Sequence, residues 1–403
     1  MQTQADLDPG WEEVLRILAQ QQHPRLSLET RALADKLAPF VRTLTEGLTR
    51  ARALPGERYL DSPELSLAYL LYYVPVNATR TRAGLTEVWP PVEPLPSTLR
   101  MVDPGCGPGS QLIAVLDLLR ELPPPTTGTR TLHYHGLDHS VRALEQLQGM
   151  VTLAQQHGLL PDWLELKLTL TRVKTPPTPA ARALALRQAL EQALSTPAHL
   201  LTLGYVLNEL SVQADEGPWL AGLVQKLVPD GLLLLLEPAL QETAERLCQL
   251  RDAVVREGGV TVRFPCTHHA ACPLVGPQRP ARQWCHQELR WQRPPLIQAI
   301  DARAGLDKVH PASSQLLLQR RAAPATAERG HYRALGPALH GRGTVTVHLC
   351  GAEGFQEATL LTRHRAPENE ALLEVRRGDW LHLEGAEPKG ASLRLGPQSR
   401  VEV

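Results

Sequence analysis

The stretch that decides the fold is "LRMVDPGCGPGSQLIAVLDLLR", residues 99–120. An apolar run ends at Asp103, a turn with Gly105, Gly107 and Gly109 follows, and a helical apolar pattern begins directly after it. Glycines let the backbone turn sharply and let a ligand approach the following helix more closely than a Cβ would allow. The pattern therefore predicts a strand, a ligand-binding turn and a helix, although a tight turn without a ligand has the same signature.

Further apolar runs on either side of long helical patterns extend this unit. They are "LHYHGLDHS" (132–140), "HLLTLGYVLNEL" (199–210) and "GLLLLLEPAL" (231–240). Strands that alternate with helices form parallel sheets with crossover helices. The sequence therefore predicts an α/β fold with a doubly wound, mostly parallel, Rossmann-like sheet.

Changes of pattern along the chain predict four regions. Amphipathic helices fill residues 1–95 up to the break "PPVEPLPS", and the sheet domain occupies 96–262. A cysteine-rich metal-binding segment with the final sheet strands covers 263–330. Alternating apolar residues between Gly-rich turns predict a small β-rich C-terminal extension at 331–403.

Composition limits the choice of compartment and partners. The 403 residues contain 42 Lys plus Arg and 42 Asp plus Glu, so no overall positive field favours nucleic acid. The first residues lack the features of a secretory signal, and the longest apolar run is too short for a bilayer. We expect a cytoplasmic monomer with no membrane or DNA partner, in which cysteines are metal ligands or catalytic groups rather than disulfides.

Acidic and polar residues at the strand ends indicate a nucleoside cofactor. Asp103 precedes the glycines as in S-adenosylmethionine-dependent methyltransferases, where an Asp-x-Gly-x-Gly turn holds the methionine end of the cofactor. Asp138 ends the next strand, where an acidic residue binds ribose hydroxyls, and Asn208 and Glu209 follow a strand at the ligand-binding edge of the sheet. The predicted cofactor-binding residues are Asp103, Gly105, Cys106, Gly107, Gly109, Asp138 and Asn208.

Catalysis is less well supported than binding. The Asn/Asp-Pro-Pro-aromatic motif of base-amino methyltransferases is absent from "YVLNELS" (205–211). Asn208 and Glu209 are the candidate catalytic residues, which would orient a substrate, but such a pair equally caps the next helix. Cys106 has no neighbouring base in the sequence to activate it, so we expect it to line the pocket rather than attack a substrate.

Half of the six cysteines gather at Cys266, Cys272 and Cys285, in the pattern C-x5-C-x12-C, and Cys350 follows after 64 intervening residues. Structural zinc sites use closer C-x2-4-C pairs, whereas an iron-sulfur cluster tolerates irregular spacing. Cys248 lies in a helical pattern, which is typical of a small buried residue.

Three histidines beside these cysteines leave the choice of metal open. His268, His269 or His286 would complete a Cys/His zinc site, the main alternative to an iron-sulfur cluster. The plainer interpretation places all three on the surface next to a metal-binding loop.

Several motifs occur in the order typical of one known family. They are "VDPGCGPGS", "LGYVLNELS", "LLLLEPAL", "FPCTHHAACPL", "QWCHQEL" and "HLCGAEG" with "VRRGDW". From about residue 60 onward the chain resembles the methyltransferase-like family of mitochondrial small-ribosomal-subunit assembly factors and their bacterial relatives. The resemblance implies a [4Fe-4S] cluster on Cys266, Cys272, Cys285 and Cys350, an S-adenosylmethionine pocket at Asp103, Gly105, Gly107 and Asp138, and a role on small-subunit rRNA.

These observations lead to one hypothesis and two alternatives. We expect an S-adenosylmethionine-binding, iron-sulfur-containing protein that binds the small ribosomal subunit or its 16S-type rRNA and assists its assembly, with the cluster pinning the β-rich region to the sheet. The alternatives are an active small-subunit rRNA methyltransferase and a small-molecule methyltransferase with structural zinc. Candidate RNA contacts surround Trp284 and Trp291 and are Arg279, Arg282, Arg290 and Arg293.

Overall fold

The computed structural model describes most of the chain. The described residues are 6–50, 54, 58–92, 94–174, 176, 178–207, 216–276, 280, 283–322, 330–390 and 392–403. Within them, no helix is both long and apolar enough to cross a bilayer.

A mostly parallel sheet forms the centre of the structure. Its strands are β1 (Thr98–Pro104), β2 (Arg130–Asp138), β3 (Leu164–Arg172), β4 (Ala198–Gly204), β5 (Leu227–Pro238), β6 (Thr261–Phe264), β7 (Gln287–Glu288) and β8 (Ala312–Gln319). The order is β3-β2-β1-β4-β5-β8-β6, and β7 pairs with β8 at the side. Strands β1 to β5 pair in parallel, whereas β8 runs antiparallel to β5, β6 and β7. This order confirms the predicted doubly wound sheet.

Helices cover both faces of this sheet. They are α1 (Gly10–Gln22), α2 (Thr30–Thr45), α3 (Pro63–Ala68), α4 (Val74–Thr86), α5 (Ser110–Arg120), α6 (Val141–Gln156), α7 (Pro179–Ala193), α8 (Glu216–Gln225), α9 (Gln241–Glu257) and α10 (Pro295–Ala304). π-Helical turns span Glu46–Arg50 and Tyr69–Tyr73, and 3-10 turns span Tyr59–Asp61, Thr362–His364 and Glu370–Glu374.

The N-terminal helices share their core with the sheet. α2 buries Leu33, Leu37, Val41 and Leu44, which recur at the spacing of one helical face. These side chains belong to one apolar cluster with α5, α6, α10 and the strand residue Met101. The cluster thereby fixes the helical region against one face of the sheet, where it reaches the carboxyl ends of the strands.

A second sheet forms the β-rich C-terminal region. Its strands are β9 (His331–Ala334), β10 (Leu339–Gly341), β11 (Thr344–Gly351), β12 (Gly354–Leu361), β13 (Trp380–Glu384), β14 (Glu387–Lys389), β15 (Ser392–Leu395) and β16 (Arg400–Glu402). The order is β14-β15-β12-β11-β9-β13-β16, with β10 beside β11, and only the β12–β15 pairing is parallel among these strands. Alternating buried residues of β11, such as Val347 and Leu349, form its own core.

The two sheets meet at the cysteine-rich segment. Arg333 of β9 donates from Nε to the carbonyl oxygen of Pro265 at 2.8 Å, and Thr267 Oγ1 donates to the carbonyl oxygen of His331 at 3.1 Å. The segment that carries the cysteines therefore contacts both sheets.

Candidate functional site

The glycine turn after β1 has the backbone shape that only glycine adopts easily. Gly105, Gly107 and Gly109 have φ of +70°, +51° and +97°. The N–H of Gly105 donates to the carbonyl oxygen of Leu137 at 2.7 Å, which holds the turn against β2. A Cβ at Gly105 would lie 3.0 Å from Val206 Cγ2, whereas one at Gly107 would meet nothing within 4 Å. The space above Gly107 is therefore open for a ligand.

Asp138 at the end of β2 contacts the same turn. Its Oδ2 accepts from the N–H of Gly107 at 2.8 Å, and its Oδ1 accepts from the N–H of Ser140 at 2.8 Å. The Ser140 hydroxyl in turn donates to Asp61 of the N-terminal region at 2.8 Å. The structure thus brings the ribose-binding candidate to the glycine turn, with the helical region beside it.

Asp103 supports the turn from inside the sheet. The hydroxyls of Tyr134 and Thr202 donate to its carboxyl oxygens at 2.8 and 2.6 Å, and the side chain is fully buried. Burial raises its pKa to about 7, against the opposing effect of the two hydroxyl donors. In this arrangement Asp103 holds the end of β1 in place, and its contact with a cofactor stays a prediction.

The structure describes the surroundings of Cys106 but not those of the two candidate catalytic residues. The Cys106 side chain lies in the core below the turn, and a Cβ at Gly136 would be 3.0 Å from its Sγ. Burial raises the pKa of this thiol well above its usual range, which agrees with a packing residue and not a nucleophile. Asn208 and Glu209 lie outside the described residues.

The buried Asp103 carboxyl group gives a pH-dependent prediction. Its pKa is about 7 in the folded chain and about 4 in the unfolded chain. Between these values the unfolded state releases a proton that the folded state keeps, so the stability contributed by this group falls as pH rises from about 4 to about 7. We expect the free energy of unfolding of Asp103→Asn, relative to that of the wild type, to rise by roughly 4 kcal/mol between about pH 4 and about pH 7, as measured by urea unfolding. Parallel pH profiles would contradict the assignment.

A second site lies where the two sheets meet. Cys266, Cys272, Cys285 and Cys350 all line one cavity of about 30 Å³. Apolar residues, among them Leu247 of α9 and Leu316 of β8, form part of the remaining wall. Yet no three His, Cys, Asp or Glu side chains in the described part of the chain converge closely enough to hold one metal ion. The four thiols therefore share a cavity, and their role as metal ligands stays a prediction.

Two buried arginines stand beside these thiols. Arg251 of α9 and Arg333 of β9 also line the cavity, at 2% and 9% exposure. Arg251 donates to the carbonyl oxygens of His268 and Ala270 and pairs with Asp252 at 2.6 Å. The cavity walls contain no carboxylate among the described residues, so the local field favours an anionic occupant.

The pKa values of the thiols show what an occupant must supply. Burial raises the pKa of Cys266 to about 12 and that of Cys350 well above its usual range. Both therefore stay protonated at neutral pH unless a cation replaces the proton. The thiolates of Cys266 and Cys350 would therefore form only with a metal group in the cavity.

Cys248 was expected to be an ordinary buried helix residue, but it lines the same cavity. Its interaction with Cys285 lowers the pKa of the Cys285 thiol. On α9, Ala244, Cys248 and Arg251 share the cavity face at helical spacing.

The plainer interpretation of the histidines was wrong for His268. It is 2% exposed, and its Nε2 lies 3.6 Å from Cys350 Sγ. Burial lowers its pKa to about 4, which keeps the ring neutral. His269 accepts from the N–H of Val262 at 2.9 Å, and His286 stacks on Trp284.

The four arginines predicted to contact RNA differ in what the structure shows of their surroundings. Arg279 and Arg282 lie outside the described residues, and Arg290 is exposed. Arg293 instead pairs with Asp301 at 2.7 Å and Asp307 at 3.5 Å, so it already has acidic partners.

The two tryptophans between these arginines contact the backbone. Trp284 Nε1 donates to the carbonyl oxygen of Ala239 at 3.1 Å, and Trp291 Nε1 donates to that of Lys308 at 2.7 Å. Both rings therefore help to hold the loops in place, which weakens their case as base-stacking residues.

The strand order and the glycine turn define a doubly wound, mostly parallel α/β fold with a Rossmann-like ligand-binding turn. The model of the family described as mitochondrial small ribosomal subunit Rsm22 matches residues 159–382, more than half of the chain. This chain belongs to the Rsm22 family. Among curated proteins none matches it.

Solved structures of methyltransferases resemble the chain distantly. One, described as a class I S-adenosylmethionine-dependent methyltransferase from Listeria monocytogenes, has a TM-score of 0.35 at 11% identity and covers 80% of this chain and 91% of its own. An arsenic(III) S-adenosylmethionine methyltransferase from Chlamydomonas reinhardtii has a TM-score of 0.29 at 14% identity, with 63% and 79% covered. The N-methyltransferase NodS from Bradyrhizobium japonicum, in complex with S-adenosylhomocysteine, has a TM-score of 0.27 at 12% identity, with 55% and 78% covered.

Proposed function

We propose that this protein is a cytoplasmic S-adenosylmethionine-binding, iron-sulfur-containing factor that binds the small ribosomal subunit or its rRNA and assists its assembly. The observation that carries the proposal is the cavity between the two sheets, on which Cys266, Cys272, Cys285 and Cys350 converge from separate parts of the chain. The family to which the chain belongs is named for the mitochondrial small ribosomal subunit, which supports the choice of partner.

An iron-sulfur cluster fits this cavity better than zinc. Zinc needs its ligands around one point, whereas a [4Fe-4S] cluster takes four thiolates spread around a larger body. The four thiols come from irregularly spaced positions of the sequence and line one cavity together. The buried guanidinium groups of Arg251 and Arg333 would also balance the negative charge of four thiolates. The cluster would join β11 to the cysteine-rich segment and so contribute folding free energy.

S-Adenosylmethionine fits the glycine turn. Asp138 would bind the ribose hydroxyls, and the open space above Gly107 would take the body of the cofactor. When bound, the cofactor supplies an activated methyl group. The residues of this chain bind and orient it, and Asp103 holds the turn in shape from below.

An active rRNA methyltransferase is the second candidate function. It is favoured by a cavity beside the carboxyl ends of β4 and β5, where open α/β sheets bind their ligands. The assembly function requires binding alone and needs no acceptor in this cavity.

The two functions predict different results in cells that lack this protein. For an assembly factor we expect precursor small subunits to accumulate on sucrose gradients while mass spectrometry finds every rRNA methyl mark in place. The purified protein should also bind small subunits with an affinity that falls at least about tenfold between 50 and 200 mM salt. A missing methyl mark would favour the enzyme, and normal subunits with all marks present would contradict both.

A further inference from the structure

A cavity of about 340 Å³ lies apart from the cysteines, between the N-terminal helices and the carboxyl ends of β4 and β5. Lys308, on the loop after α10, and Glu237, at the end of β5, are among its lining residues. We call it the tyrosine pocket, and the lining residues that matter here are Tyr59, Tyr69, Tyr73, Asn77, Arg80 and Tyr205.

Aromatic rings form one wall of the tyrosine pocket. Tyr69 and Tyr73 stack with their centroids 5.5 Å apart and their planes 19° apart, and Tyr59 packs against Tyr69 at 6.0 Å. The stacked pair lies in the π-helical turn Tyr69–Tyr73 between α3 and α4. Such turns are frequent at functional sites, and flat aromatic ligands stack well on such a wall.

Arg80 supplies a polar, positively charged part of the lining of the tyrosine pocket. Its side chain is 7% exposed, and its Nη1 donates to Asn77 Oδ1 and to the Tyr205 hydroxyl, at 3.1 Å each. Its buried Nε has no hydrogen-bond partner in the described part of the chain. A guanidinium that lines the pocket and is held by neutral groups suits a ligand that brings an acceptor oxygen.

The backbone at Tyr205 supports the same conclusion. It follows β4 directly and has φ of +63°, which a bulky side chain rarely adopts. Strain of this kind is concentrated where a side chain must be held toward a ligand. The Tyr205 hydroxyl also accepts the hydrogen bond from Arg80 Nη1. The residue with the strained backbone therefore contacts the buried arginine directly.

We infer that the tyrosine pocket binds a single unstacked nucleobase of the bound RNA, with the ring on Tyr69 and Tyr73 and a base carbonyl oxygen accepting from Arg80. The volume fits one nucleotide unit and is small for a folded protein segment. Unpaired loop bases of RNA are the ones that splay onto aromatic side chains and guanidinium groups. The inference rests on the proposed function, because the RNA supplies the base.

The test compares two aromatic-to-leucine variants with the wild type. Tyr69→Leu removes the stacking ring, and Trp380→Leu removes a 41% exposed ring on β13 as the matched control. Each is titrated with small-subunit rRNA and cross-linked by ultraviolet light, and cross-linked peptides are mapped by mass spectrometry. We expect Tyr69→Leu to bind about tenfold more weakly and to lose a cross-link at Tyr69 or Tyr73, with Trp380→Leu unchanged.

A second measurement separates the pocket from the ribosome. With S-adenosylhomocysteine saturating the glycine turn, each of the four free nucleosides is added at about 10 mM, and at least one should raise the wild-type Tm by about 2 °C but not that of Tyr69→Leu. If the wild type binds no rRNA yet shows this shift, the pocket stands and the proposed function falls. If rRNA binds equally to wild type and Tyr69→Leu, with no cross-link in the pocket, the nucleobase inference is overturned and the proposed function stands. If neither rRNA nor nucleoside binds, both are overturned.

Discussion

Cys350→Ser is expected to remove the iron and the broad visible absorption of the anaerobically purified protein. The wild type should contain about four irons and four sulfides per chain. Cys350 lies on β11, separated from Cys285 by 64 intervening residues, so its thiolate would be the cluster's bond to the second sheet. Its loss removes the bond between the cluster and the second sheet, and we expect Tm to fall by about 10 °C or more. Metal analysis, absorption and calorimetry measure the three effects.

Cys248→Ala provides the matched control, because Cys248 lines the same cavity on α9. This variant also removes one buried thiol, but it should keep the iron, the sulfide and the absorption. If Cys248→Ala lost the cluster and Cys350→Ser kept it, the ligand set would have to be redrawn around α9. One zinc and no iron in the wild type would overturn the iron-sulfur proposal and direct attention to His268, whose Nε2 is 3.6 Å from Cys350 Sγ.

The sheet could be predicted from the sequence because its strands are apolar runs bounded by helical patterns. The glycine turn that follows Asp103 could also be predicted, because positive φ at glycines such as Gly105 is a local property of the chain. The shared core of the N-terminal helices and the sheet could not be read this way. The apolar face of α2 indicates that this face is buried, but it does not indicate which surface packs against it.

The cysteine cavity shows the limit more clearly. Spacing selected Cys266, Cys272, Cys285 and Cys350, and the structure brings them to one cavity, while their role as ligands stays a prediction. The helical pattern around Cys248 did not predict that this residue lines the cavity. Ala244 and Arg251 lie on the same helical face and also line it.

The tyrosine pocket depends on contacts between distant parts of the chain. Tyr69 and Asn77 belong to the N-terminal helices, whereas Tyr205 follows β4. A period of helical residues predicts which side chains share a face, but not that this face lies over a strand end. The buried Arg80 was equally invisible, since its unsatisfied Nε is a property of the folded surroundings.

Gly107→Val is expected to weaken S-adenosylhomocysteine binding by at least about 100-fold. The new side chain would occupy the open space above the turn, where a Cβ meets no protein atom within 4 Å. It would also strain a residue at φ +51° whose N–H donates to Asp138, so the carboxylate that we propose to bind the ribose would lose its support. Loss of shape and of a charge-assisted hydrogen bond together account for roughly 3 kcal/mol. Isothermal titration calorimetry measures the change.

Gly158→Val separates this effect from backbone strain. Gly158 has φ of +66° and, like Gly107, open space around a built Cβ, but it lies on the turn after α6. Both variants should lose about 1–2 kcal/mol of stability, because a β-branched residue is placed in the left-handed region. Only Gly107→Val should lose the ligand. If the two variants bound S-adenosylhomocysteine equally well, the open space above Gly107 would not be the cofactor site, and the search would move to the tyrosine pocket.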